Sequence, residues 1–490
     1  MSAASPAPVS PASVAAFDQL ALPAALKAGV AALGFTQMTP VQAASLPAAL
    51  AGEDLIVQAP TGSGKTAAFG LALLAALDSS LWQVQALVLC PTRELADQVA
   101  EELRRLARAA GNVKILSLCG GTPMRPQRES LAHGAHVVVG TPGRLMDLLD
   151  VGALQLGGLQ TLVFDEADRM LDMGFIDDMV TVASQCPAQR QTLLFSATYP
   201  EGIAKLAARF LRKPRQLTVS APTARTGTAD AAGVAGAAQA GRIHQLAFEI
   251  SDSDRLHVVG QLLRHYRPAS TIAFCNTKQQ CRDLVDVLAA EGFVALALHG
   301  DLDQRERDQV LIRFSQRSVS VLVATDVAAR GLDIEQLEAV INVDVTQDIE
   351  QHVHRIGRTG RAGHDGLALS LVSMDEMGRI GRIELAQGKP FDWEKLSTLK
   401  DAPGGPLRPA MATLQILGGK KEKIRPGDVL GALTGDAGFA GSQIGKIKVT
   451  DFHTYVAVEA SIADQVVAKL SQGTLKGRKA KLRRLDEVIR

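Results

Sequence analysis

Lysine and arginine are absent before Lys27, which argues against a secretory signal with a basic leading region. Residues 28–52 carry no charge, but Pro40, Pro47 and several polar side chains interrupt the stretch too often for a membrane span. The five cysteines, at 90, 119, 186, 275 and 281, include no CxxC pair. Most sit in apolar, strand-like runs, so buried reduced thiols are expected rather than disulfides or metal ligands, and with them a cytoplasmic location and no membrane partner. Net charge is nearly missing too, at +1, but it is unevenly divided. Residues 411–490 hold 14 Lys/Arg against 8 Asp/Glu, leaving the rest of the chain net acidic and pointing the basic end at a polyanion.

What the chain does have is length and regular apolar runs. At 490 residues with 47% hydrophobic content it should form two or three domains, each with its own core. Residues 1–13, rich in Ala, Pro and Ser, read as a disordered tail. A first domain, 14–219, alternates helical patterns with strand-like runs at Asp54–Gln58, Ala86–Cys90, Val113–Leu118, Ala135–Val139, Thr161–Phe164 and Gln191–Phe195. That order predicts βαβ units around a parallel sheet. Residues 220–241 are small and almost uncharged, a linker.

A second α/β series, 242–390, has candidate strands His244–Glu249, Thr271–Cys275, Val294–Leu298, Ser320–Val323, Ala339–Val343 and Leu367–Val372. After a linker at 391–408, residues 409–490 give strand Ala412–Leu417, helix Pro426–Leu433, strands Ile444–Val449 and Thr454–Val458, helix Ser461–Leu470 and strand Lys479–Leu485. This βαββαβ order is that of an RNA-recognition-type module.

Ala59-Pro-Thr-Gly-Ser-Gly-Lys-Thr66 lies between an apolar strand and a helix-like run. Gly62 and Gly64 let the chain turn so that backbone N–H groups, among them those of Thr61 and Ser63 after Pro60, and a helix N-terminus face one anion. Lys65 would meet β- and γ-phosphates and Thr66 would hold Mg²⁺. The second series has no such loop, which suggests a nucleotide shared by two similar domains.

Strand Thr161–Phe164 runs into Asp165-Glu-Ala-Asp168. Asp165 suits an Mg²⁺ ligand, and Glu166 suits a general base on an attacking water. Ser196-Ala-Thr198, by itself, reads as a helix cap. In His354-Arg-Ile-Gly-Arg-Thr-Gly-Arg361, Arg358 and Arg361 are spaced to send two guanidinium groups to one phosphate and make hydrolysis depend on domain closure.

Taken in this order, these segments resemble the DEAD-box RNA helicase family over about residues 17–390. The resemblance implies two tandem RecA-like domains, ATP and Mg²⁺ as cofactors, RNA as partner and a monomer as the working unit. Gly34-Phe-Thr-Gln-Met-Thr-Pro-Val-Gln42 with Phe17 is similar to the family's Q motif; Gln42 would bond adenine and Phe17 would stack on it. The resemblance further implies RNA contacts at Pro91, Thr92, Arg93, Gly121, Thr141, Pro142 and Gly143, and at Asn276, Gln304, Arg307 and Thr325. It places Asp333 near the ribose and lets Asp168, Ser196 and Thr198 couple the motifs.

Through Ile416-Leu-Gly-Gly-Lys-Lys-Glu-Lys423, Ile444-Gly-Lys-Ile-Lys-Val-Thr-Asp451 and Tyr455-Val-Ala-Val458, the C-terminal module resembles that of the bacterial DbpA subfamily, which implies targeting to a hairpin of large-subunit (23S) ribosomal RNA during ribosome assembly. Its third strand offers only Tyr455 where two aromatics would stack bases, so loops and the cluster Lys476, Arg478, Lys479, Lys481, Arg483 and Arg484 are the expected RNA surface. An ATP-gated RNA clamp, a DNA translocase and a general RNA chaperone helicase stand as alternatives.

Overall fold

Runs such as Ala86-Leu-Val-Leu89 and Val137-Val-Val-Gly140 are apolar on both faces, as strands must be when helices cover a sheet on two sides. They are buried throughout. The computed structural model describes residues 16–60, 62–219, 243–329, 337–360 and 365–485, with nothing to be said of the Arg478 side chain. The proposed tail 1–13, the linker 220–241, Thr61, Asp333 and Arg361 lie outside the described residues.

Seven strands form the first sheet: β1 Leu55–Gln58, β2 Ala86–Leu89, β3 Ile115–Leu118, β4 Val137–Gly140, β5 Thr161–Phe164, β6 Gln191–Ser196 and β7 Arg215–Thr218. All pairs are parallel, in the order β3-β4-β2-β5-β6-β1-β7. One face packs Phe69, Leu71 and Leu103 against Val57 and Val88; the other packs Leu148, Met170 and Met179 against Leu87 and Phe164.

The second sheet contains β8 Ile243–Glu249, β9 Thr271–Cys275, β10 Ala295–Leu298, β11 Val321–Thr325, β12 Ala339–Asn342, β13 Gly366–Val372 and β14 Asp392–Glu394. Its order, β10-β11-β9-β12-β13-β8-β14, repeats that of the first sheet position for position. The two copies are the tandem RecA-like lobes that the family resemblance implied.

The third sheet is antiparallel: β15 Met411–Leu417, β16 Ile444–Val449, β17 His453–Glu459 and β20 Leu482–Arg484, in the order β16-β17-β15-β20. A two-stranded ribbon, β18 Thr474–Leu475 with β19 Arg478–Lys479, precedes β20. The single last strand expected over Lys479–Leu485 is therefore broken. Alternation divides the faces: Ala412, Leu414, Ile416, Val456 and Val458 join the module's core with Val429, Leu433, Val466 and Leu470. Tyr455 points the other way and clusters with Leu485 and Ile312, the latter in the helix Gln304–Ser315 of the second lobe. Gln316 Nε2 donates to the carbonyls of Lys446 and Tyr455, each at 3.2 Å, and the Ser318 and Thr413 hydroxyls lie 2.7 Å apart.

No helix among the described residues is long and apolar enough to cross a membrane.

Candidate nucleotide site and RNA-binding edge

β1 leads directly into the cradle. Ala59 N donates to Ser196 O at 3.0 Å, extending the β1–β6 ladder by one bond. The chain then turns through Gly62 and Gly64, with φ of 78° and 91°, into the helix Lys65–Ala75. A Cβ on Gly64 would lie 2.6 Å from Gln42 Nε2, so space as well as backbone conformation requires glycine. Gln42 Oε1 accepts from Thr39 N at 2.8 Å and its Nε2 donates to Gly64 O at 3.2 Å. Its side-chain amide thus ties the helix Pro40–Leu50 to the cradle. Phe17 is buried and stacks on Phe35 with ring centroids 6.4 Å apart. Lys65 is buried, its Nζ donating to Ala59 O at 3.0 Å.

Asp165 and Glu166 follow β5, and the helix Ala167–Asp172 begins immediately after them. Glu166 adopts the left-handed conformation, φ 53° and ψ 50°. Asp165, Glu166 and Asp168 are all buried. Burial, and after it the adjacent Glu166 carboxylate, push the Asp165 carboxyl up to about 7, while Lys65 pulls it down. A buried carboxyl so raised is short of positive charge, and a cation bound beside it would supply that charge. No cluster of three metal-binding side chains occurs among the described residues. Mg²⁺ is usually held by one or two carboxylates together with phosphate oxygens, and the buried Asp165 is one such carboxylate. The donor set fits the ion.

Asp168 Oδ2 accepts from Ala197 N, Thr198 N and Thr198 Oγ1 at 3.0, 2.8 and 3.1 Å, and Asp168 N donates to Ser196 Oγ at 3.2 Å. Ser196 does act as a helix cap, but toward the first turn of Ala167–Asp172 and not toward the helix that follows it. Pro200 is the N-cap of the next helix, Glu201–Phe210, and the Ser/Thr hydroxyls turn back to Asp168.

Sheet order sorts the remaining first-lobe motifs. The cradle, carboxylates and Ser196–Thr198 follow β1, β5 and β6, on one half of the carboxyl edge. Pro91–Arg93, Gly121 and Thr141–Gly143 follow β2, β3 and β4, on the other. Open α/β sheets bind ligands along this edge. Thr92 caps the helix Arg93–Leu106, and Gly121 and Gly143 are exposed. Arg144, the last residue of the Thr141-Pro-Gly-Arg144 motif, donates through both terminal nitrogens to Thr122 O at 3.1 Å, joining the last two segments.

The second lobe repeats the sorting. Asn276 and the pair Gln304 and Arg307 follow β9 and β10, and Thr325 is the last residue of β11. Asn276 is exposed, Gln304 Nε2 donates to Asp308 Oδ1 at 2.9 Å, and Arg307 Nη2 donates to Ala328 O at 2.6 Å. Arg358 is buried just beyond the helix Ile349–Ile356. Arg355 anchors that helix: its Nε and Nη2 take both Asp326 oxygens at 2.7 and 2.6 Å, and its guanidinium lies 5.1 Å from the Phe274 ring centroid.

Three family models match this chain: DEAD/DEAH box helicase over residues 39–206, helicase conserved C-terminal domain over 254–363, and DbpA RNA binding domain over 413–484. The chain is 51% identical over 464 residues to the ATP-dependent RNA helicase DbpA of Escherichia coli K12, covering 95% of this chain and 98% of that protein. The chain belongs to the DbpA subfamily of DEAD-box ATP-dependent RNA helicases. It is also 43% identical to the DEAD-box ATP-dependent RNA helicase CshA of Streptococcus pneumoniae serotype 4, across 70% of this chain and 62% of that protein. Among solved structures, Saccharomyces cerevisiae Dbp5 bound to RNA and ADP BeF3 is similar with a TM-score of 0.68 and 29% identity, over 78% of this chain and 96% of that one. The chain is accordingly an RNA-binding, ATP-hydrolysing helicase.

In this helicase the third sheet's aromatic is not available for stacking. Tyr455 is 5% exposed, and its hydroxyl accepts from Gln415 Nε2 at 3.1 Å. The basic cluster also divides. Lys476 pairs with Asp428 at 3.0 Å, Arg484 with Asp464 at 3.3 Å, and Arg483 donates to Gln415 at 2.8 Å, while Lys479 and Lys481 stay exposed. Sequence reasoning missed a second exposed group: Lys420 and Lys421 beside Phe452, which is 55% exposed with Lys421 Nζ 4.2 Å from its ring centroid.

Proposed function

We propose that this helicase separates short RNA duplexes locally in the precursor of the large ribosomal subunit, and that its C-terminal module directs it there by binding a hairpin of 23S ribosomal RNA. It acts in the cytoplasm as a monomer. The observation that carries the targeting is the covered sheet face. With Tyr455 packed on Ile312, the module is left with exposed lysines and Phe452 on its loops, a surface suited to phosphates and one unstacked base rather than to a strand laid across the sheet.

At the first sheet's edge, Lys65 and the backbone amides of the 59–66 cradle, with Pro60, Ser63 and Thr61 among its members, hold the triphosphate. Thr66 and Asp165 would hold Mg²⁺, which would supply positive charge against the transferring phosphoryl group. Glu166 takes the proton of the attacking water. Asp168 relays the state of this half-edge to Ser196 and Thr198. Pro91, Thr92, Arg93, Gly121, Thr141, Pro142 and Gly143 grip one RNA strand with Asn276, Gln304, Arg307 and Thr325, largely through phosphates. Asp333 meets the ribose, and Arg358 and Arg361 neutralise the γ-phosphoryl charge.

ATP hydrolysis measured side by side with a 23S hairpin fragment, unrelated RNA and DNA tests this reading. The full chain should turn over fastest with the hairpin and slowest with DNA, and a chain ending at Gly405 should remain an RNA-stimulated ATPase without that preference. An unchanged preference after truncation would move targeting into the two parallel-sheet lobes.

A further inference from the structure

The geometry points to Arg169 as the residue that positions Glu166 for hydrolysis, an inference that rests on Glu166 being the general base. Arg169 Nη1 donates to Glu166 Oε2 at 2.6 Å, and the two side chains are 5% and 8% exposed. The contact depends on local backbone. Glu166 is held at φ 53°, one of six non-glycine residues with positive φ among those described, and the chain enters the helix Ala167–Asp172 at the next residue. Arg169, three positions on, therefore reaches back across the first turn to the carboxylate.

The platform beneath the arginine is fixed. Arg169 N donates to Asp168 Oδ1 at 3.0 Å, and Asp168 is itself bound through Oδ2 to Ala197 and Thr198. One carboxylate oxygen of Glu166 is thus committed to the guanidinium, while Oε1 has no hydrogen-bond partner among the described residues. A base prepared in this way offers a single oxygen in a single orientation, and positioning of a reacting group within a few tenths of an ångström is where much of an enzyme's rate is gained. Stability alone is a weak reason for the pair. Desolvating two charges costs several kcal/mol, and apolar side chains of similar volume serve a core about as well.

The test uses the full chain and measures RNA-stimulated ATP hydrolysis, with Arg169→Met keeping the apolar stem and Arg169→Lys keeping the charge. Arg169→Met should lower kcat roughly 10–100-fold and leave the KM for ATP and the RNA affinity within about twofold. Arg169→Lys should fall between that variant and the parent, at least about threefold below the parent. In a Glu166→Gln background, measured under single turnover, adding Arg169→Met should change the residual rate by less than about twofold, because the group it positions is gone.

Additive losses in the double variant, a KM that rises in step with the fall in kcat, or an Arg169→Lys enzyme equal to the parent would each overturn the inference. If Arg169→Met does not fold, as judged by its thermal unfolding, Arg169→Lys alone decides. Normal turnover by Glu166→Gln would remove the base assignment itself, whereas an inactive Glu166→Gln beside a fully active Arg169→Met would remove only the positioning role.

Discussion

The Asp168 carboxylate and Thr198 meet twice, Oδ2 accepting from the Thr198 backbone N–H at 2.8 Å and from its hydroxyl at 3.1 Å. The acidic segment after β5 and the Ser-Ala-Thr segment after β6 are therefore one hydrogen-bonded unit, and a shift in either moves the other.

Thr198→Val removes the hydroxyl donor and keeps both backbone donors, so the segment should stay in place at a cost on the order of 1 kcal/mol. Duplexes separated per ATP hydrolysed should fall at least about fivefold, with the ATPase rate changing far less. Parallel strand-separation and phosphate-release assays measure the two quantities, and equal losses in both would exclude a coupling role for the hydroxyl.

Arg361→Ala should slow RNA-stimulated hydrolysis by roughly a thousandfold, the scale of a lost arginine finger, while weakening ATP binding only a few-fold. Nucleotide titration alongside single-turnover hydrolysis separates the effects. Similar losses in both would make Arg361 an ordinary binding residue.

Inner strands such as β2 and β4 were legible because both faces are buried, so each is an unbroken apolar run. The edge strands β7, Arg-Gln-Leu-Thr218, and β14, Asp-Trp-Glu394, were not, since they are polar and largely exposed and only pairing makes them strands. The cradle and acidic motif could be read from spacing because backbone geometry dictates their residues. Tyr455 could not be read from spacing, because its burial depends on Ile312, far away in sequence. The Arg169–Glu166 pair was hidden for a different reason. Its spacing of three is ordinary on a helix, but Glu166 lies outside the helix, and only its left-handed backbone turns the two side chains toward each other.

His352 gives the second lobe a defined acid sensitivity. The imidazole is buried, with Nε2 3.3 Å from Gln245 Oε1 and its ring 5.7 Å from that of Phe391. Burial first, and Arg355 after it, hold its pKa down to about 4. The unfolded chain titrates near 6.5 and so binds the extra proton between these values. Stability is then full above about pH 6.5 and declines as pH falls toward 4, by about 3 kcal/mol in all. Denaturant unfolding across this range should show the decline, and His352→Gln should flatten it. An unchanged slope in that variant would assign the acid sensitivity to other groups.

Ile312 tests what the covered sheet face does. Its side chain is 2% exposed against Tyr455 and Leu485, so Ile312→Ala should weaken that contact by roughly 2–5 kcal/mol, the range for a buried isoleucine truncation. The cost falls mainly between the module and the second lobe, because the core of each is built from other residues. Hairpin affinity should therefore stay within about twofold, while hairpin-stimulated ATP hydrolysis falls several-fold as RNA bound on the loops loses its fixed placement. Fluorescence anisotropy with a labelled hairpin gives the first quantity and phosphate release the second. If stimulation persists with the contact loosened, a flexible tether is enough and the packed Tyr455 face serves stability alone.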